Sequence, residues 1–84
     1  MDKEALIEKL KAIVKPYVKN EEGFKILNEN TDFLNDLKIN SANLVDMILD
    51  IENEFDIIID NDSMEKMLNV KAAMEIITTK LSEK

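Results

Sequence analysis

The sequence predicts an all-α fold, a small four-helix bundle. It has three main helices plus a short helix that comes third along the chain, and a long loop lies between helices one and two. The chain has one glycine and one proline among its 84 residues, and it is rich in Leu, Ile, Lys, Glu and Met, which favour helices. Its apolar residues recur at steps of three and four, the spacing of one helical face. This length suits one domain, so residues 1–84 are expected to fold as a single unit.

The first predicted helix carries apolar residues at helical spacing from Leu6 to Tyr17. Asp2 can cap its start, because a carboxylate there accepts a hydrogen bond from the first turn and lies at the positive end of the helix dipole. Pro16 lacks the N–H that a helix interior needs. We therefore expect the helix to end near Val14 or to kink there.

A long polar connection, residues 19–43, follows the first helix. Residues 20–23 predict a turn, because Asn and Gly are typical of turns. A connection of this length is unusual in a small domain unless it is tied down. Apolar residues along it should pin it to the bundle, with a helical turn or two inside it: Phe24, Ile26, Leu27, Phe33, Leu34 and Leu37.

The second main helix is predicted from about Ser41 to Glu54, with Asn40 as its N-cap. When Ile48 is placed at the centre of a wheel of about 100° per residue, a core stripe falls within about 60° of it. That stripe contains Leu44, Val45, Ile51 and Phe55. The opposite face carries Asn43, Asp46, Asp50 and Asn53, with Ala42 and Leu49 on its shoulder.

The remainder of the chain predicts a loop over residues 55–60 that places apolar side chains, a short helix at about residues 62–68 and a last helix from Val70. The last helix repeats the spacing of three and four. The predicted core comprises Leu6, Leu10, Val14, Phe33, Leu37, Val45, Ile48, Ile51, Phe55, Ile59, Val70, Ala73 and Ile77.

Composition excludes several classes of function. With 11 lysines, no arginine and 18 acids, the formal net charge is −7, which argues against nucleic-acid binding. The absence of Cys and His removes thiolate chemistry, zinc-thiolate sites and an imidazole base. No apolar run reaches the length of a membrane span, so we expect a soluble, cytoplasmic monomer. Residues 39–65 hold eight acids and no cation.

Three groups of residues are candidates for chemical sites. Asp60 and Asp62 begin an EF-hand-like spacing, but the required glycine and closing carboxylate are missing, so no metal site is predicted. Asp46 and Asp50 lie one turn apart on a solvated face, where carboxylates make poor general acids. Ser41 opens the acidic helix, and it is either a helix cap or a point of covalent attachment for a phosphodiester at the positive helix end.

The chain resembles the acyl carrier protein family from about Phe33 to Ile77. The residues that carry the resemblance are residues 37–42 (LKINSA), residues 44–59 (LVDMILDIENEFDIII) and residues 70–73 (VKAA). Family members attach 4′-phosphopantetheine to the serine of an Asp-Ser-Leu motif at the start of the second helix. This sequence has Lys38, Asn40, Ala42 and Asp60 where the family has Gly, Asp, Leu and Pro, which indicates a divergent, specialised member.

The resemblance implies a non-catalytic carrier that holds acyl groups as thioesters on an arm at Ser41, beside the cap Asn40. Its partners would be a phosphopantetheinyl transferase and the loading, condensing and modifying enzymes of fatty-acid, polyketide or aryl-polyene synthesis, docking through basic patches. The residues expected to contact them are Ala42, Asp46, Met47, Leu49, Asp50, Glu52 and Asn53. An unmodified helical interaction module and a carrier of amino acids remain as alternatives.

Overall fold

The computed structural model describes residues 2–83 and contains five helices and one 3₁₀ turn within that range. The three long helices are α1 (Lys3–Val14), α3 (Ser41–Phe55) and α5 (Val70–Ser82), and the short ones are α2 (Glu21–Lys25) and α4 (Asn61–Lys66). The all-α prediction is therefore confirmed, including the long connection before α3. None of the helices between residues 2 and 83 is both long and apolar enough to cross a membrane.

Side-chain caps start four of the helices. In each, an Asp or Asn accepts a hydrogen bond from the amide three residues later, which satisfies one of the unpaired N–H groups of the first turn. The pairs are Asp2–Ala5, Asn40–Asn43, Asp60–Ser63 and Asn69–Ala72, at distances between 2.7 and 2.9 Å. The predicted caps Asp2 and Asn40 are confirmed.

Pro16 ends α1 as predicted. The chain continues as a 3₁₀ turn over Lys15–Tyr17, in which residues three apart are eclipsed. Val14 is fully buried, so Tyr17 lies on the same side of the chain and packs against the core. The proline thereby directs the only tyrosine toward α3.

Hydrogen bonds join the start of the long connection, just before α2, to its later part. Residues 20–23 were predicted as a turn, but Glu21–Lys25 form a short helix, so that prediction is wrong in detail. The amides of Lys19 and Asn20 donate to the carbonyl of Leu37 at 3.1 and 3.2 Å, which brings the two ends of the connection together. A methyl group on Gly23 would overlap the carbonyl oxygen of Asp36, so this close approach requires glycine.

The same connection is also anchored to the segment between α4 and α5. Phe33 donates its amide to the carbonyl of Leu68 at 3.0 Å, and Val70 donates to the carbonyl of Thr31 at 2.9 Å. Phe33 is fully buried. These hydrogen bonds hold the connection against the helices, as its apolar residues predicted.

The core confirms the prediction for every residue except Val45, which is 45% exposed. Met47, which was assigned to the surface, is fully buried instead. The buried side of α3 is centred about 50° away from Ile48 on a wheel of 100° per residue. Apolar residues cover about 200° of this helix, so packing against its neighbours, rather than the pattern itself, determines which part is buried.

Candidate functional site

Ser41 is the first residue of α3, and its side chain is exposed. The preceding Ile39 is 1% exposed and anchors the end of the connection, while Asn40 caps the helix through Asn43. The first turn of a helix presents unpaired N–H groups and a positive dipole end. The first turn of α3 contains no acidic residue, so nothing there opposes a negatively charged group on the Ser41 hydroxyl.

The backbone just before the serine has a left-handed conformation at Lys38, where φ is 59°. A residue with a Cβ adopts this conformation at an energetic cost, whereas glycine, which has no Cβ, adopts it without that cost. Lys38 thus holds a backbone conformation for which glycine is the favoured residue.

An exposed stripe runs along α3 from the serine, and we call it the α3 face. Its residues recur at helical spacing, so they point to the same side of the helix. They are Ala42, Val45, Asp46, Leu49, Asp50 and Asn53, all exposed. Val45 and Leu49, one turn apart, are 45% and 48% exposed, and the two aspartates lie beside them. The α3 face thus combines apolar contact area with negative charge.

Two residues that we expected on this surface instead make contacts within the protein. The side chain of Met47 belongs to the core, so its assignment as a partner contact is wrong. The Glu52 carboxylate accepts a hydrogen bond from the amide of Ile59 at 2.7 Å and holds the loop after α3. Val45, assigned to the core, supplies the apolar contact instead. Its spacing of four residues from both Ser41 and Leu49 was the available signal.

Tyr17 reaches the α3 face from the end of α1. Its hydroxyl donates a hydrogen bond to Asp50 Oδ2 at 2.5 Å. This hydrogen bond, partial burial and the charges of Asp50 and Asp46 together raise the pKa of Tyr17 from 10.0 to about 12. The phenol is therefore neutral at physiological pH. The sequence pattern did not reveal this contact, because the two residues lie 33 positions apart.

Several acids beyond the α3 face are paired with lysines. Lys9 Nζ lies 3.2 Å from Glu54 Oε1, and Lys80 Nζ lies 3.5 Å from Asp60 Oδ2. Hydrogen bonds from Ser63, with a smaller contribution from Lys80, lower the pKa of Asp60. Within residues 2–83, no lysine forms such a pair with Asp46 or Asp50. The negative charge of the α3 face is thus not compensated by an ion pair with lysine in the described part of the chain.

Comparison with known proteins finds acyl carrier proteins as relatives of this chain. The acyl carrier protein of Buchnera aphidicola subsp. Schizaphis graminum (strain Sg) is 43% identical over 56 residues, which are 67% of this chain and 70% of that protein. The acyl carrier protein of Coprothermobacter proteolyticus is 31% identical over 84 residues, the full length of both. That of Karelsulcia muelleri is 34% identical over 79 residues, 94% of this chain and 93% of the relative. No protein-family model matches the sequence.

The fold is a small helical bundle with an exposed serine at the start of α3, and the relatives that it matches are carrier proteins. On the similarity to its relatives, the chain belongs to the acyl carrier protein family. Such proteins are non-catalytic carriers whose prosthetic group is a covalently attached 4′-phosphopantetheine. The start of α3 fits this group, because Ser41 offers an exposed hydroxyl at a positive helix end without a neighbouring acid.

Proposed function

We propose that Ser41 is the attachment point of the 4′-phosphopantetheine arm and that the chain presents acyl thioesters to the enzymes of fatty-acid, polyketide or aryl-polyene type synthesis. The observation that carries this proposal is the exposure of Ser41 at the N-terminus of α3, directly beside the α3 face. Once attached, the arm supplies the thiol that this cysteine-free chain lacks.

The residues around the serine support a role as substrate for other enzymes. Asn40 fixes the first turn of α3, and the positive end of the helix favours the phosphodiester. No His is present to activate the hydroxyl, so the transferase that delivers the arm from coenzyme A must supply the base.

The α3 face supports docking to enzymes with basic patches. Single exposed ion pairs contribute about 0–1 kcal/mol each, so Asp46 and Asp50 favour fast, salt-sensitive and short-lived encounters. Val45 and Leu49 add apolar contact between them. Such binding suits a carrier that must visit several enzymes in turn.

Intact-mass measurement tests the attachment. After incubation with coenzyme A and a phosphopantetheinyl transferase, the protein should gain the mass of one phosphopantetheine, and Ser41→Ala should abolish the gain. Ser63 is a matched control, because it also lies in the first turn of a helix, three residues after the Asp that caps it, and Ser63→Ala should keep the gain. No mass increase, or one that persists in Ser41→Ala, would contradict the assignment and favour an unmodified interaction module.

The cargo is tested on protein isolated from its own cells. Hydroxylamine cleaves thioesters, so the mass of the released group identifies what the arm carried. Release of a fatty, polyketide or polyene acyl group supports the proposal. Release of an amino acid would instead favour the alternative carrier.

A further inference from the structure

A hydrogen bond between Tyr17 and Asp50 connects the 3₁₀ turn after α1 to the α3 face. The phenol donates to Asp50 Oδ2 at 2.5 Å, and Asp46 is close enough for its charge to act on the same phenol. Pro16 and the 3₁₀ turn bring Tyr17 to this place. The predicted carrier role gives this tyrosine no function.

This contact differs from the ion pair that joins α1 to α3. Lys9 pairs with Glu54 at 3.2 Å and lies over the ring of Phe55, with its Nζ 5.8 Å from the ring centroid. A lysine cancels the charge of its partner, whereas a neutral phenol leaves the charge of Asp50 intact. The chain thus holds an acid on the α3 face with a donor that does not neutralise it.

The geometry also leaves Asp50 able to bind. An ionised carboxylate has about four acceptor sites, and the phenol occupies one of them. A partner lysine or arginine can use the rest. Because the carboxylate is already fixed, docking loses less side-chain entropy than it would with a freely rotating aspartate.

We propose that Tyr17 is a positioning residue of the α3 face, which fixes the carboxylate of Asp50 for the cationic side chain of a docking enzyme. This inference rests on the proposed carrier function. It gives a residue outside α3, in the 3₁₀ turn that follows α1, a part in arranging the docking surface.

Two measurements test the proposal on the full chain. The three-bond coupling constants of the Asp50 side chain should report one rotamer in the wild type and averaged rotamers in Tyr17→Phe. With coenzyme A and a phosphopantetheinyl transferase, Tyr17→Phe should raise the KM for the carrier about two- to tenfold, the range expected for one freed side chain. The kcat should stay unchanged, because docking is a binding interaction.

Two controls separate positioning from general packing. In an Asp50→Asn background, Tyr17→Phe should have no further effect on KM, because the charged partner is already gone. Lys9→Met breaks the ion pair between α1 and α3 and makes the chain more negative. It should therefore not raise KM unless looser packing of α1 is the cause.

The outcomes are distinguishable from failure of the carrier function. Averaged Asp50 rotamers in the wild type overturn the positioning role, whatever the protein carries. An unchanged or lower KM in Tyr17→Phe, or the same rise in Lys9→Met, also overturns it. A wild type that gains no arm overturns the proposed function and the docking role with it, while the coupling constants still show whether Tyr17 fixes Asp50.

Discussion

Residues 41–50 of α3 and residues 51–55 both contain acids, but the two parts use them differently. In the second part, Glu52 holds the amide of Ile59 at 2.7 Å and Glu54 pairs with Lys9 at 3.2 Å. In the first part, Asp46 has no lysine partner within residues 2–83, and Asp50 is bound only by the neutral hydroxyl of Tyr17. The first part contains the exposed serine.

This contrast shows that acidic composition alone does not identify a docking surface. An acid that accepts a hydrogen bond from a backbone amide, as Glu52 does, or that pairs with a lysine, as Glu54 does, stabilises the fold, and its charge is partly used there. An acid on an exposed helical stripe beside apolar side chains is available to a partner. We therefore expect mutations in the two parts to separate stability from docking.

The largest expected effect comes from the buried side of residues 41–50. Met47→Ala should lower the free energy of unfolding by about 2–5 kcal/mol, because it removes a fully buried side chain. Leu49→Ala, two residues later and half exposed, should cost below about 1 kcal/mol. Urea unfolding of the two variants measures this difference, and similar losses would contradict the orientation of α3.

The next effect compares acids of the two parts. Glu52→Ala should lower the free energy of unfolding by about 1–3 kcal/mol, because the amide of Ile59 loses a charged acceptor in a partly buried place. Asp46→Ala should change stability by no more than about 0.5 kcal/mol while weakening docking. Thermal unfolding and transferase kinetics on both variants test the separation. Equal stability losses would remove the distinction between structural and docking acids.

A smaller gain is expected just before the serine. Lys38→Gly should stabilise the protein by about 1 kcal/mol, because glycine adopts the left-handed conformation of residue 38 without a Cβ contact. Lys38→Ala removes the same charge but keeps the Cβ, so it should give no gain. If both variants gained equally in urea unfolding, charge rather than backbone conformation would be the cause.

The smallest effect concerns the hydrogen bond between Tyr17 and the α3 face. Tyr17 is the only tyrosine and there is no tryptophan, so ultraviolet absorbance follows its ionisation alone. Its pKa should be about 12 rather than 10.0, and Asp50→Asn should move it back toward 10.0. Because the folded-state pKa is raised, the contribution to stability is complete below pH 10 and is lost as the pH rises toward 12. A pKa near 10.0 in the wild type would show that the hydrogen bond does not form in solution.

Local signals in the sequence determined much of the fold and the place of the candidate site. Asp2 and Asn40 start their helices because a cap acts on an amide three residues away, and Pro16 ends α1 because it lacks an N–H. The same short-range reasoning placed Ser41 at the start of α3. The resemblance to acyl carrier proteins rests on the residues of that segment, and the relatives confirm the family.

Tertiary packing decided what these local signals left open. Apolar residues cover so much of α3 that the pattern allowed several orientations, and the chosen one buries Met47 and exposes Val45. The contacts of Glu52 and Tyr17 could not be read from spacing, because they depend on how a loop and a 3₁₀ turn approach α3. Side-chain periodicity describes one helix, whereas burial and charge pairing depend on which neighbours that helix meets.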